Sequence, residues 1–241
     1  MSHPRLFAVI PAAGVGRRMG GECPKQYLSL AGAPLLHHAV LALLSFTPPR
    51  IERVAVALHL ADERAGELPI LEDPRVLRVS GGAERADSVL SGLHALQEFA
   101  QDEDWVLVHD AARPCLPQAD LERLVARVLE RGEGAILAQP VVDTLKQSDG
   151  AGRVLATVDR RQYWRAQTPQ MFRLGELRGA LEAALAAGEP VTDEASAMER
   201  AGFPVQLVEG SAANLKVTVP GDLPLAAFYL DARLQGQKRC E

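Results

Sequence analysis

A glycine-rich segment near the N-terminus holds the first residues whose types and spacing suit chemistry. It reads Pro11-Ala-Ala-Gly-Val-Gly-Arg-Arg-Met-Gly20, and Cys23-Pro-Lys25 follows it. Small residues let the backbone come close to a ligand, and successive amide groups hold phosphate oxygens. The segment lacks the Gly-Lys-Ser/Thr end of a Walker loop, and Met19 stands where the dinucleotide-binding fingerprint requires a third glycine or alanine. Arg17, Arg18 and Lys25 therefore favour a loop that neutralises a polyanion such as a nucleoside triphosphate.

Two further polar segments follow predicted strands. Ser80-Gly-Gly-Ala-Glu-Arg-Ala-Asp-Ser88 has a Gly-Gly turn that opens a helix, whose free amide groups suit the acceptor atoms of a ligand. His109-Asp-Ala-Ala-Arg-Pro114 follows the next strand, and the carboxyl ends of strands are where open α/β sheets bind ligands. Asp110 and Arg113 are therefore candidates to bind a metal, a hydroxyl or a phosphate. Taken singly, each of the three segments also fits a plain turn, a helix cap or a surface ion pair.

Composition limits the classes of protein that fit. The chain has 241 residues, 47% of them hydrophobic, and a formal net charge of -5, so a soluble globular domain is expected and duplex nucleic acid is not. Three widely spaced cysteines without a CxxC pair favour a reducing compartment. No apolar stretch reaches the roughly 20 residues of a membrane span, and Arg17 and Arg18 follow the first apolar run, so a cytoplasmic protein without a secretory signal is predicted.

Strand and helix patterns alternate in the first half of the chain. Strands are predicted at residues 6–10, 54–58, 76–79, 105–109 and 135–138, and helices at 34–46, 84–100 and 118–130. This alternation predicts an α/β fold with a Rossmann-like, mostly parallel sheet flanked by helices. Residues 141–147 and 153–158 flank a turn-rich segment and predict a projecting β-hairpin. An isolated hairpin is marginally stable, so we expect it to pack on a second subunit.

The C-terminal part adds two helices, 174–187 and 193–201, and Thr192 is the predicted N-cap of the second. Strands at 205–208 and 215–219 and a closing helix at 223–234 complete the prediction. The chain is expected to form a single domain over residues 1–241, with residues 140–160 as its arm. Only four of its 26 basic residues are lysines, and Lys25 and Lys216 lie in candidate loops, which suits a compact point charge.

In order along the chain, these motifs resemble those of the 2-C-methyl-D-erythritol 4-phosphate cytidylyltransferases of the non-mevalonate isoprenoid pathway, a nucleotidyltransferase family. Besides the three segments above, the matching motifs are Pro24-Lys-Gln-Tyr27, Asp143-Thr-Leu-Lys146, Val158-Asp-Arg160, Gln167-Thr-Pro-Gln170, Thr192-Asp-Glu-Ala-Ser196 and Asn214-Leu-Lys-Val-Thr218. The first motif is shared with many sugar-nucleotide transferases, whereas the later ones are more specific. The resemblance implies that the substrate phosphate attacks the α-phosphorus of CTP and that pyrophosphate leaves.

Residue roles carry over from the resemblance by motif. Arg18 and Lys25 would stabilise charge on the triphosphate, although Arg17 beside Arg18 is an alternative, and Lys216 would align the reacting phosphates. The implied CTP-binding residues are Pro11, Ala12, Ala13, Gly14, Gly16, Gly81, Gly82, Ala83, Ser88 and Ala111. The implied polyol phosphate site is lined by Asp110, Arg113, Thr144, Arg160, Thr168 and Thr192.

The resemblance also implies a dimeric assembly and a metal cofactor. The hairpin would be a dimerisation arm that carries Arg160 into the partner's site, and Mg²⁺ would be bound with CTP, without protein ligands that the sequence assigns. Two other functions stay open on the sequence. One is a cytidylyltransferase for another polyol phosphate such as ribitol 5-phosphate, which would differ mainly around Thr144, Thr168 and Thr192. The other is a nucleotide sensor without catalysis, which would not need Arg18, Lys25 and Lys216 together.

Overall fold

The computed structural model describes residues 4–14 and 23–238. Within these residues the strands are β1 (Leu6–Ala12), β2 (Ser29–Leu30), β3 (Ala33–Pro34), β4 (Ile51–Leu58), β5 (Val76–Ser80), β6 (Trp105–Val108), β7 (Gly134–Pro140), β8 (Leu145–Ser148), β9 (Val154–Val158), β10 (Trp164–Arg173) and β11 (Val205–Glu209). The helices are α1 (Leu35–Leu44), α2 (Arg85–Leu96), α3 (Gln118–Arg131), α4 (Leu174–Ala186), α5 (Glu194–Arg200) and α6 (Asp222–Lys238). None of these helices is both long and apolar enough to cross a membrane.

The central sheet has seven strands in the order β11-β7-β10-β6-β1-β4-β5. Only β10 runs against its neighbours, β6 and β7, so the predicted mostly parallel sheet is confirmed. The sequence patterns did not predict β10, because its centre is Ala166-Gln-Thr-Pro-Gln170 rather than an apolar run. The register of β10 against β7 shifts between Ala166 and Gln170, at the position of this polar segment.

Helices cover both faces of the sheet, which explains why the central strands read as continuous apolar runs. Leu6, Ala8 and Ile10 of β1 pack with residues of α1 and α3 on one face. Phe7 and Val9 pack with residues of α2, α4 and α5 on the other. All five of these β1 side chains are fully buried. A third apolar cluster, which includes Leu35, Val217 and Leu230, packs α6 and the segment before it against the start of α1.

The arm is present as a separate two-stranded antiparallel sheet of β8 and β9. Its first strand begins at Leu145, four residues later than the predicted 141, because residues 141–144 form a connection without strand pairing. Val154 and Leu155 on the arm are each 62% exposed, as expected of a ribbon that extends from the rest of the chain.

Two local predictions were wrong. Asp193, not Thr192, caps α5: its side chain accepts the Ser196 N–H, and the Ser196 hydroxyl in turn accepts the Asp193 N–H. Residues 215–219 are not a strand. The Asp222 carboxylate accepts the N–H groups of Thr218 and Val219 at 2.7 and 3.0 Å, and these bonds turn the chain into α6 instead of leaving it extended.

Candidate active site

The carboxyl ends of the parallel strands β1, β4, β5 and β6 lie side by side at one edge of the sheet. β1 ends at Ala12, β5 at Ser80 and β6 at Val108, so the glycine-rich segment, the Gly-Gly turn and Asp110 all begin at this edge. The sheet topology thus brings together the three segments that the sequence analysis selected. This edge is where an open α/β sheet holds its ligand.

The described part of the glycine-rich segment is Pro11 to Gly14, whereas Gly16, Arg17 and Arg18 lie outside the described residues. Gln26 is buried, and its side-chain amide donates to the Ala12 carbonyl oxygen at 2.8 Å. This bond fastens the short 3-10 turn Lys25–Tyr27 to the end of β1. This bond therefore places Lys25, the neighbour of Gln26 in the chain, near the end of β1.

The segments that carry Lys25 and Lys216 converge on the start of α6. The pKa of Asp222 is lowered by the N–H groups of Val219 and Thr218 and further by the positive charge of Lys25. On the other side of this segment, the Val217 N–H donates to the Ala112 carbonyl oxygen at 2.9 Å. The structure thus holds Lys25, Lys216 and the loop after β6 in one region.

The Gly-Gly turn packs directly on the end of β1. A Cβ built on Gly81 would lie 2.4 Å from the Cβ of Ala13, so only glycine fits there. The Gly81 N–H donates to the Leu58 carbonyl oxygen at 2.7 Å, and the Gly82 N–H to the Ser88 hydroxyl at 3.2 Å. Ser88 is buried and supports the turn from within, whereas Ala83 is exposed at its tip.

Five charged side chains form what we call the Asp110 cluster: Arg85, Asp110, Arg113, Glu194 and Lys216. Lys216 Nζ lies 2.7 Å from Asp110 Oδ2, and the guanidinium of Arg85 lies 3.1 Å from Oδ1. Arg113 Nε is farther away, at 3.7 Å from Oδ2. Burial alone would raise the pKa of Asp110, but the charges of Arg85 and Lys216 lower it well below its usual range. Asp110 is therefore ionised at neutral pH.

Sequence reasoning missed Arg85 and Glu194. Arg85 Nη1 and Nη2 donate to the two carboxylate oxygens of Glu194 at 2.6 and 3.1 Å, and Glu194 is fully buried. A buried carboxylate needs such a cation, because leaving it unpaired in the interior is costly. Both residues lie in motifs that carry the family resemblance. A charged residue inside such a motif was the sequence signal that could have identified them as site residues.

A buried chain of hydrogen bonds supports the backbone of Asp110. The Asp110 N–H donates to Thr168 Oγ1 at 3.0 Å, and Thr168 Oγ1 lies 3.0 Å from His109 Nδ1. His109 Nε2 lies 3.1 Å from the Arg113 carbonyl oxygen, so Nε2 carries a hydrogen and donates. Burial lowers the pKa of His109 to about 4, so the ring is neutral and Nδ1 accepts the Thr168 hydroxyl hydrogen.

Arg113 is predicted to bind substrate, but its guanidinium donates mostly to backbone carbonyl oxygens. Nη1 donates to the Asn214 carbonyl oxygen at 2.7 Å and Nη2 to the Ala166 carbonyl oxygen at 3.4 Å. The Asn214 side-chain amide donates to the Thr168 carbonyl oxygen at 2.7 Å. Arg113 thus ties the loop after β6 to β10 and to the segment that carries Lys216, and only its Nε faces Asp110.

The structure does not join Thr144 and Arg160 to the Asp110 cluster. Thr144 is exposed in the connection before β8, and Arg160 is exposed in a 3-10 turn where it donates to the Val142 carbonyl oxygen. Among the described residues, neither makes a hydrogen bond or ion pair with the cluster. Thr192 lies two residues before Glu194, and Ala111 is buried directly after Asp110.

A resident metal site does not fit the residues at this edge. Within residues 4–14 and 23–238, no group of three or more His, Cys, Asp or Glu side chains lies close enough to hold an ion. Both oxygens of Asp110 are already paired with cations. Magnesium keeps several waters and binds largely through substrate phosphates, so it does not require such a group of protein ligands.

Comparison with known proteins gives a consistent result. Residues 6–232 match the family model of 2-C-methyl-D-erythritol 4-phosphate cytidylyltransferase. Enzymes of that name from Aeromonas hydrophila and Photobacterium profundum are 57% identical over 228 residues and 50% identical over 231 residues. These alignments cover 95% and 94% of this chain and 90% and 97% of the relatives.

Solved structures agree in fold as well as in sequence. The crystal structure of a 4-diphosphocytidyl-2C-methyl-D-erythritol synthase superposes with a TM-score of 0.81 at 37% identity, covering 95% of this chain and all (100%) of that one. The cytidylyltransferase from Thermus thermophilus has a TM-score of 0.75 at 33% identity, covering 92% and 97% of the two chains. With its motifs gathered at one sheet edge and matched along nearly its whole length, the chain belongs to the 2-C-methyl-D-erythritol 4-phosphate cytidylyltransferase family.

Proposed function

We propose that this protein joins CTP and 2-C-methyl-D-erythritol 4-phosphate, giving 4-diphosphocytidyl-2-C-methyl-D-erythritol and pyrophosphate in isoprenoid biosynthesis. The observation that carries the proposal is the meeting of the family's motifs at the carboxyl ends of β1, β5 and β6. The comparisons do not favour a cytidylyltransferase for ribitol 5-phosphate or a nucleotide sensor.

The proposed reaction is an in-line displacement at phosphorus. A phosphate oxygen of the polyol substrate forms a bond to the α-phosphorus of CTP, while the bond from that phosphorus to the bridging oxygen breaks and pyrophosphate leaves with the electron pair. A phosphate monoester is largely ionised at neutral pH, so no general base is required. The protein contributes position and charge.

Cations around the triphosphate are proposed to carry most of the catalysis. Arg18 and Lys25 stabilise the charge that develops on the triphosphate, and Lys216 aligns the reacting phosphates. Support for Lys25 comes from the Gln26 bond to Ala12, which holds the lysine turn against the end of β1. For Arg18, which lies outside the described residues, support comes from its motif alone.

We assign CTP to the surface that the glycine-rich segment and the Gly-Gly turn form together. The proposed phosphate contacts are Pro11, Ala12, Ala13, Gly14 and Gly16. The proposed cytosine contacts are Gly81, Gly82, Ala83 and Ser88, and Ala111 borders the ribose. The close packing of Gly81 on Ala13 supports this assignment, because it makes one continuous surface of the two segments.

The polyol phosphate is assigned to the side of the Asp110 cluster. The cluster contains three cations and two carboxylates, so its net charge is positive and attracts a phosphate dianion. Asp110, Arg113, Thr168 and Thr192 are the proposed residues from this side. Thr144 and Arg160 are proposed to act across a dimer, since each is exposed near the arm.

The proposed active form is a homodimer joined through the arm. A two-stranded ribbon is marginally stable by itself, and Val142, Val154 and Leu155 expose apolar surface at this place. Arg160 of each protomer would complete the site of the other. We place the protein in the cytoplasm, with Mg²⁺ supplied as the complex with CTP.

Product analysis tests the function. Purified protein is incubated with CTP, Mg²⁺ and either 2-C-methyl-D-erythritol 4-phosphate or ribitol 5-phosphate, pyrophosphate release is followed, and products are identified by phosphorus NMR. We expect a diphosphocytidyl product with the methylerythritol substrate only. Product with ribitol 5-phosphate alone would overturn the substrate assignment, and CTP binding without turnover would overturn the enzymatic role.

A further inference from the structure

The guanidinium of Arg85 connects three elements of the site. Arg85 is the first residue of α2, Glu194 is the first residue of α5, and Asp110 follows β6. Arg85 Nε donates to Asp110 Oδ1 at 3.1 Å, while its two terminal nitrogens donate to Glu194 at 2.6 and 3.1 Å. All five donor hydrogens of arginine lie in one plane, so the Glu194 fork also fixes the direction of Nε.

The two oxygens of Asp110 have different cations. Oδ1 accepts from Arg85, and Oδ2 faces Lys216 Nζ at 2.7 Å. The bond from Arg85 to Oδ1 therefore fixes the rotation of the Asp110 carboxylate. That rotation determines the direction of Oδ2, which faces Lys216. The Lys216 side chain is 42% exposed, on a segment without strand pairing, and this ion pair restrains it.

We propose that Arg85, anchored by Glu194, is a positioning residue that holds Asp110 in the orientation that presents Lys216 to the reacting phosphates. The inference rests on the proposed function, because it assigns Lys216 its alignment role there. Arg85 and Glu194 need not touch either substrate for this role, since they act through Asp110. Their effect on turnover must then pass through Lys216.

A double-mutant cycle tests this dependence. We expect Arg85→Lys, which keeps the charge and loses the planar fork, to lower kcat about tenfold or more while the KM for CTP changes less than about threefold. In a Lys216→Ala background, the same substitution is expected to change kcat less than about threefold, because the group it positions is gone. Equal losses in both backgrounds would overturn the inference.

Glu194→Gln is the second variant, since it keeps the side-chain volume, removes the negative charge and replaces one of the two acceptor oxygens with a donor amide group. It is expected to lower kcat severalfold in the wild type and to have little effect in the Lys216→Ala background. Arg178→Lys is the matched control, because Arg178 also donates two bonds to a carboxylate, that of Asp102, at 2.9 and 3.2 Å. Its effect on kcat should be negligible in both backgrounds.

A spectroscopic readout separates this inference from the proposed function. The chain has four lysines, so ¹⁵N-lysine labelling gives few side-chain signals, and Lys216→Arg assigns that of Lys216. Glu194→Gln should move the Lys216 signal and leave that of Lys146 in place. An unmoved Lys216 signal would overturn the positioning role even in an active enzyme. Absence of turnover in the wild type, with the signal moved, would instead overturn the proposed function.

Discussion

Gly81 and Ala13 lie so close together that a Cβ on Gly81 would stand 2.4 Å from the Cβ of Ala13. The contact joins the turn before α2 to the segment after β1, although the two residues are far apart in the chain. The Gly81 N–H bond to the Leu58 carbonyl oxygen, at 2.7 Å, fixes the turn from the other side. With both restraints, the turn has no room to move away from a side chain at position 81.

Gly81→Ala should therefore weaken CTP binding. Overpacking of this kind costs roughly 1–3 kcal/mol, which corresponds to a KM for CTP raised about 5- to 150-fold where the cost falls on the bound state. Steady-state kinetics at varied CTP concentration measures this KM. Gly179→Ala is the control, because Gly179 lies within α4 with nothing within 4 Å of its Cβ position. Gly179→Ala should raise the melting temperature and leave turnover unchanged. A KM for CTP equal to that of the wild type in Gly81→Ala would contradict the assignment of the Gly-Gly turn to the CTP site.

Lys25→Ala and Lys216→Ala should each lower kcat by at least ~100-fold, the scale of losing one preorganised charge donor, without unfolding the protein. Turnover and thermal unfolding are measured together. Arg127→Ala is the control for net charge, because Arg127 is exposed on α3, 3.9 Å from Glu130. Wild-type turnover in either lysine variant would refute its role.

Acid should destabilise the protein partly through His109. Its pKa is about 4 in the folded protein, against 6.5 for the free group, because burial disfavours the charged ring. Between these values the unfolded chain binds a proton that the folded chain does not, so the free energy of unfolding falls as the pH falls. This group should account for roughly 3 kcal/mol between pH 7 and 4.

Urea unfolding at several pH values, in the wild type and in His109→Gln, measures this contribution. The substitution costs stability at every pH, so the test is the difference in pH dependence. The variant should lose less stability than the wild type on acidification. Parallel curves for the two proteins would show that His109 does not titrate as its burial indicates.

Deletion of residues 146–155 should give monomers of low activity, because it removes the turn, most of the first arm strand and the start of the second. Sedimentation and turnover are the measurements. Val154→Glu should weaken the dimer by placing a charge on its exposed apolar surface. Leu60→Glu is the control, since Leu60 is 86% exposed and lies outside the arm. An active dimer after the deletion would reject the arm as the dimer contact.

The sequence patterns could not predict two features of the fold, the polar strand β10 and the N-cap of α5. In β10, Gln167, Thr168 and Gln170 are buried and bonded to partners on other elements, such as Asn214 and Asp193, so their burial leaves no apolar signal. Thr192 and Asp193 are both common N-cap residues. The reciprocal bonds with Ser196 show which of them caps α5, and such bonds depend on where the helix begins.

By itself, the sequence determined the family, the alternation of strands and helices, and which segments carry chemistry. These are local properties: apolar runs, glycine turns and motif residues are read over a few neighbouring positions. Only the tertiary structure decided how the charges pair. Arg85 and Glu194 are separated by 109 positions in the chain, and their bond exists because α2 and α5 pack on the same face of the sheet. Glu194 is fully buried, so its charge would be costly there without Arg85.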